Sequence, residues 1–266
     1  MRTILITGAG SGLGEGAAIG LATEGHEVIA AAQSWPQVTA LRAKVESGRI
    51  PHVRVEKLDL LDPFDVQHAL SFSFDVLVNN AGIAEGGPIA EIPVDRVRRN
   101  FETNVFAPLA FTQQVVKRWV REKRAGKVVF LCSIGELLSP PGFAAYAATK
   151  HAVEAIAEAM QPELKPFGIQ VQTINPGAYL TGFNESMAEN AFLWLDDEVN
   201  FTSRSAVQEM VAGLIGSATG RMDPADMIAK MVEVIPQSTG KFRNLHPERV
   251  EDALKTHQQD MFERRI

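Results

Sequence analysis

The chain has 266 residues, 45% hydrophobic and 22% charged, with a formal net charge of -6. This is ordinary globular composition, and the acidic balance argues against a nucleic-acid-binding surface. Cys132 is the single cysteine, so an intramolecular disulfide is excluded. The apolar run at residues 3–6 is too short for a signal peptide, and no stretch is long and apolar enough to span a bilayer. A cytoplasmic protein with no membrane partner is expected.

In chain order, residues 3–7 read as a buried strand and residues 13–24 as the helix after it. Residues 27–32 and 52–57 read as the second and third strands; in the latter, Val53 and Val55 alternate with charged residues. Asp62-Pro63 has the pattern of an N-cap followed by proline at the first helical position. Residues 74–78, 127–131 and 169–174 are further strands. Asp223-Pro224 starts a later helix by the same cap logic. Val250, Ala253, Leu254, His257 and Met261 form one stripe of a C-terminal helix, with Glu251 and Lys255 paired at i,i+4. Strands separated by helices, with no hairpin signals, predict right-handed βαβ units and a parallel sheet covered on both faces. No linker or repeat interrupts the pattern, so one domain is expected over residues 1–266. It carries an insertion at about 179–222 and the terminal helix at about 247–264.

The first strand-to-helix turn is Thr7-Gly8-Ala9-Gly10-Ser11-Gly12-Leu13-Gly14. Glycines there let the backbone turn tightly and approach a pyrophosphate, while the helix N-terminus offers unpaired N–H groups. The expected fold is therefore α/β, a single-domain Rossmann-type doubly wound parallel sheet. After the second strand a carboxylate usually grips the adenosine ribose, but here the residues are Ala31-Ala32-Gln33-Ser34. NADP(H) is favoured and NAD(H) possible: Gln33 and Ser34 can donate to a phosphate, and an Ala32→Asp change is expected to turn preference toward NAD. Asp59 and Leu60 follow the third strand; Asp59 is either an adenine contact or a turn residue.

Five further segments, with the glycine loop, resemble the short-chain dehydrogenase/reductase family. Asn79-Asn80-Ala81-Gly82 is similar to its N-N-A-G, Asn104 to its catalytic asparagine, and Ser133 to its catalytic serine. Tyr146-Ala147-Ala148-Thr149-Lys150 is similar to Y-x-x-x-K, and Pro176-Gly177-Ala178-Tyr179-Leu180-Thr181 to P-G-x-x-x-T. Together they span residues 7–181, about two thirds of the chain. The resemblance implies an oxidoreductase with Asn104, Ser133, Tyr146 and Lys150 as catalytic residues. Gly8, Ser11, Gly12, Leu13, Gly14, Asn80, Ala81, Gly82, Pro176, Gly177 and Thr181 would contact coenzyme. Lys150 would bind the nicotinamide ribose, Asn104 would hold a relay water through its backbone, and Thr181 would meet the carboxamide. The two long helices over residues 104–121 and 144–166 resemble those that pair subunits, so a homodimer or homotetramer is expected.

The chemistry also follows from the residues. Tyr146 and Lys150 share one helix face. A free tyrosine titrates at about pH 10 and is a poor proton donor and acceptor at neutrality; a nearby ammonium stabilises the phenolate. Ser133 can hydrogen-bond the substrate oxygen. A nucleotide-sensing binding protein, or a lyase or epimerase using the coenzyme transiently, is the alternative. The segment after Thr181, with Phe183, Met187, Phe192, Trp194, Leu195 and Phe201, reads as a lid or as a helical pair packed on its own domain. With Glu136, Leu138, Phe143 and Tyr179 on the facing wall, it predicts a bulky, largely apolar or aromatic carbonyl or alcohol substrate.

Overall fold

The computed structural model describes residues 1–215 and 222–265. Its strands are β1 (Thr3–Ile6), β2 (Glu27–Ala32), β3 (Val53–Lys57), β4 (Val76–Asn79), β5 (Gly126–Leu131), β6 (Ile169–Pro176) and β7 (Arg243–His246). All pair in parallel, in the order β3-β2-β1-β4-β5-β6-β7. The order reverses between β1 and β4, and the crevice outside their carboxyl ends is where such sheets bind ligands.

The helices are α1 (Gly12–Thr23), α2 (Trp35–Ser47), α3 (Pro63–Leu70), α4 (Val94–Phe101), α5 (Ala107–Arg121), α6 (Ala144–Leu164), α7 (Phe183–Ala191), α8 (Arg204–Ile215), α9 (Pro224–Val234) and α10 (Glu251–Glu263). Alternation along the strands feeds two core layers. Ile4 and Ile6 of β1 pack with Leu21 of α1 and Met227 and Met231 of α9. Leu5 faces the other way, into the layer holding Phe74, Phe111, Trp119 and Val153. Asp62 Oδ1 accepts the Phe64 N–H at 2.8 Å, so it caps α3 as its sequence predicts. Asp223 Oδ1 does the same for α9 through Ala225 N at 2.9 Å.

Three expected elements are corrected. The helix over residues 104–121 is interrupted by a π-turn at Glu102–Phe106 before α5 begins. Phe74 precedes β4 and is a buried anchor whose ring meets Trp119 edge-on at 5.9 Å. In α10 only Leu254 of the predicted stripe is buried, and Met261 is half-exposed. The expected Glu251–Lys255 pair is formed, at 2.8 Å.

Candidate active site

A cleft of about 520 Å³ runs along the carboxyl ends of β1, β4, β5 and β6. Its floor is the β1–α1 loop. Gly8 has φ +66°, and a Cβ there would stand 2.7 Å from Ala81 Cα; one on Gly14 would stand 2.3 Å from Asn80 Nδ2. The loop is thus pressed against the end of β4 and takes no side chain at either position. Thr7 Oγ1 accepts the N–H groups of Asn80 and Ala81 at 3.1 and 3.0 Å, and Asn80 Nδ2 donates to the carbonyls of Thr7 and Gly8 at 2.8 and 3.0 Å. The result is a bare backbone cradle at the N-terminus of α1, with no side-chain cap on its first turn. Such a terminus suits a phosphate, so the residues present fit a dinucleotide.

At the end of the cleft nearest β2 and β3, Gln33 and Asp59 line it with Leu58, Leu60 and Leu61. Gln33 Nε2 donates to Asp59 Oδ2 at 3.3 Å, and Asp59 Oδ1 accepts the Leu61 N–H at 3.0 Å. Asp59 therefore braces its own turn as well as facing the cleft. Ser34 is not among the lining residues: it sits at the N-cap of α2, where its N–H and hydroxyl both donate to Gln37 Oε1, at 3.2 and 3.3 Å. Ala32, the last residue of β2, is wholly buried and is not among the lining residues.

At the other end Ser133, Tyr146 and Lys150 line the cleft together with Pro176, Gly177 and Thr181. Tyr146 and Lys150 come from successive turns of α6, and Ser133 lies just past β5. Ser133 Oγ accepts the Gly135 N–H at 3.0 Å. Lys150, buried, donates from Nζ to the Leu131 carbonyl at 2.7 Å, and stands 5.7 Å from the centre of the Tyr146 ring. The Tyr146 ring meets Phe183 edge-on at 5.4 Å.

Asn104 is buried on the π-turn. Its side chain accepts the Ile83 N–H and donates to the Ile83 carbonyl, both at 2.8 Å, and donates to Thr149 Oγ1 at 3.1 Å. It clips the loop after β4 to α6, and is not among the residues that line the cleft.

Both tyrosines of the chain reach the site, in contrasting settings. Tyr179 is 4% exposed and packed against His246 with parallel rings. Burial, with Asp226 adding to it, pushes its phenol up to about 12, so it stays a neutral wall group.

The expected substrate wall is rearranged. Phe183 lines the cleft, and so do Ile83, Ala84, Asn184, Ser186 and Asn190. Leu138, Phe143 and Trp194 do not. Phe143 is buried behind Tyr146 and Phe183. Trp194 packs with Leu195 and Val207 of the insertion and faces Gly87, where a Cβ would come within 2.3 Å of its ring. The Glu136 side chain lies outside the described residues. Sequence reasoning missed Gln37, Ile83, Ala84 and the polar residues of α7; the spacing of Phe183, Ser186 and Asn190 (i, i+3, i+7) is the signal that one face of α7 looks inward.

The model of the family described as "short chain dehydrogenase" matches residues 2–191. An oxidoreductase of Bacillus subtilis, YusZ, is 34% identical over 198 residues, 71% of this chain and 69% of that protein. The 3-ketodihydrosphingosine reductase of Bacteroides thetaiotaomicron is 32% identical over 191 residues, 70% of this chain and 66% of that one. A solved short chain dehydrogenase/reductase of Burkholderia phymatum, in complex with NAD, superimposes with a TM-score of 0.81 at 22% identity, covering 99% of this chain and 95% of that one.

Proposed function

The chain belongs to the short-chain dehydrogenase/reductase family of oxidoreductases, and on that premise we propose that Tyr146 is its acid–base residue in an NAD(P)-dependent interconversion of a ketone and a secondary alcohol. The observation that carries this is the convergence of Ser133, Tyr146 and Lys150 on one cleft that also holds the glycine cradle. Gly8, Ser11, Gly12, Leu13 and Gly14 hold the pyrophosphate, Asn80, Ala81 and Gly82 form the cleft's inner wall, and Pro176, Gly177 and Thr181 close the nicotinamide end. When bound, the coenzyme supplies or accepts the hydride. Ser133 donates a hydrogen bond to the substrate oxygen and orients it toward Tyr146. In the reductive direction Tyr146 gives its phenolic proton to that oxygen; in the oxidative direction it takes the proton back. Lys150, tethered to the Leu131 carbonyl, keeps positive charge beside the phenol and favours its ionised form. Asn104 fixes the π-turn, a feature frequent at functional sites, and its main chain is the relay point for protons leaving Tyr146.

NADP(H) is the preferred coenzyme in this reading, because β2 itself ends without a carboxylate and Gln33, held by the Asp59 carboxylate of the neighbouring strand end, lines the cleft with a neutral amide donor. The substrate is a bulky ketone or alcohol with an apolar body against Ile83, Ala84 and Phe183 and a hydrogen-bonding group toward Ser186 and Asn190. The name of the Bacteroides relative, a reductase of a ketone, is consistent with that direction. Pairing of α5 and α6 with a second copy would make a homodimer or homotetramer, which light scattering at micromolar concentration reads directly. The function itself is tested by absorbance at 340 nm with NADPH and NADH across small, aromatic, long-chain and polyhydroxylated ketones. Coenzyme-dependent turnover of bulky ketones is expected, and turnover of polyols alone would contradict the substrate reading.

A further inference from the structure

Beneath the catalytic face of α6 lies a buried charged group to which the proton chemistry assigns no part. Glu154 is one turn beyond Lys150 and two beyond Tyr146, and it is 5% exposed. Its Oε1 accepts Arg243 Nε at 2.8 Å, and its Oε2 accepts Asn175 Nδ2 at 3.1 Å. The Thr173 hydroxyl lies 3.3 Å from Oε1 and 3.1 Å from Asn175 Oδ1, one proton shared between them. A carboxylate so buried is costly unless paired and hydrogen-bonded, and this one is both.

The three partners lie on the strand that follows α6 in the chain and on that strand's edge neighbour in the sheet. Thr173 and Asn175 belong to β6, and Arg243 to β7, with Thr173 opposite Arg243 and Asn175 opposite Leu245 in register. Asn175 directly precedes Pro176 and Gly177, which line the cleft. We propose that Glu154 is a positioning residue of the active site: with Arg243 as counter-ion, its carboxylate locks the end of β6, and so the Pro176–Gly177 wall, against the helix face that carries Tyr146 and Lys150. A buried carboxylate bonded to three separate side chains holds one geometry, because moving the guanidinium leaves its charge uncompensated and moving either neutral donor leaves a buried oxygen unsatisfied. Through Arg243 the C-terminal strand becomes part of the site.

This inference rests on the coenzyme reading above, so its test reads coenzyme binding rather than turnover alone. The full chain is titrated with NADPH and NADH by fluorescence as wild type, Glu154→Gln, Arg243→Met and Arg243→Lys. Ile169→Ala, a core truncation at the far end of β6, controls for stability, and thermal melts accompany every titration. Glu154→Gln and Arg243→Met should each raise the dissociation constant about tenfold or more. Arg243→Lys, which keeps the charge, should stay within about threefold of wild type. Ile169→Ala should lower the melting temperature at unchanged affinity. Constants within twofold of wild type for both Glu154→Gln and Arg243→Met overturn the proposal. So does an equal loss of affinity in Ile169→Ala at a matched loss of stability. If Glu154→Gln does not fold, the Arg243→Met and Arg243→Lys pair, which leaves the carboxylate in place, decides by the same criteria. A wild type that binds neither coenzyme overturns the coenzyme reading, and this proposal with it; binding with equal constants overturns this proposal alone.

Discussion

The amide nitrogen of Gln33 stands 3.3 Å from the carboxylate of Asp59, at the end of the cleft nearest β2 and β3. Gln33 is exposed there, whereas Ala32 beside it has no exposed surface. In the proposed reading, position 33 is where a substitution should alter coenzyme choice. Gln33→Asp sets a second carboxylate beside Asp59 and should shift the ratio of NADPH to NADH affinity at least tenfold toward NADH. Ala32→Asp buries a carboxylate among core side chains and should cost several kcal/mol of stability instead of switching selectivity. Fluorescence titration and thermal melts separate the two outcomes. A clean switch in Ala32→Asp at unchanged stability would contradict the assignment.

The glycine loop is limited by contact with β4. A methyl at Gly14 meets Asn80 Nδ2 and the Gly8 carbonyl, both within 2.6 Å. Gly14→Ala should lose about 1–3 kcal/mol of stability by overpacking, and the displaced cradle should weaken coenzyme binding at least tenfold. Denaturant unfolding and coenzyme titration measure both.

Stability should rise in alkali through Lys127. Its Nζ donates to the carbonyls of Val234 and Gln237 at 3.0 and 2.8 Å, and burial, with Arg2 adding to it, pushes the ammonium from 10.5 down to about 8. The unfolded chain thus holds this proton to higher pH than the folded one. The penalty for burying the charge is constant below about pH 8 and is relieved as pH climbs toward 10.5. Denaturant unfolding of wild type and Lys127→Met at pH 7.5, 9 and 10 should show wild type gaining relative to the variant. Parallel pH dependence would contradict it.

The insertion is seated on the loop after β4. Trp194 covers Gly87, Asn190 Nδ2 donates to the Ala84 carbonyl at 2.9 Å, and Glu91 Oε1 accepts the Phe201 N–H at 2.7 Å. Trp194→Ala should therefore act through the seating of α7 rather than through lost substrate contact. The Michaelis constant for ketone should rise about tenfold with coenzyme affinity unchanged. An unchanged Michaelis constant would show that the insertion has no part in substrate binding.

Six of the seven strands and the cradle were legible in the sequence because their signals are local: short apolar or alternating runs, caps such as Asp62-Pro63, and glycines where the backbone admits no Cβ. β7, with only Leu245 apolar in Arg243–His246 and most of it part-exposed, carries no such signal. Ser34 misled because a hydroxyl after a strand serves equally as a phosphate donor or a helix cap, and Gln37, three residues on, decides for the cap. Phe143 and Trp194 misled because apolar residues near a cleft either face it or support what faces it, and only packing tells which. Glu154 was not legible at all. Its partners lie 19 to 89 residues away, and nothing in a helix reading of residues 144–164 distinguishes it from a surface glutamate.

In the proposed reaction Tyr146 alone of the two tyrosines transfers the proton. Tyr179 lines the same cleft but is buried and pushed up to about 12, while Tyr146 stands beside the Lys150 ammonium. The direct measurement is the rate of NADPH oxidation at saturating coenzyme and ketone in Tyr146→Phe and Tyr179→Phe, with coenzyme affinity measured alongside. Tyr146→Phe should bind coenzyme within about threefold of wild type yet turn over at least a hundredfold more slowly, whereas Tyr179→Phe should lose less than about threefold. A Tyr146→Phe variant that kept more than a few per cent of the wild-type rate, or a Tyr179→Phe variant that lost activity as completely, would contradict the account.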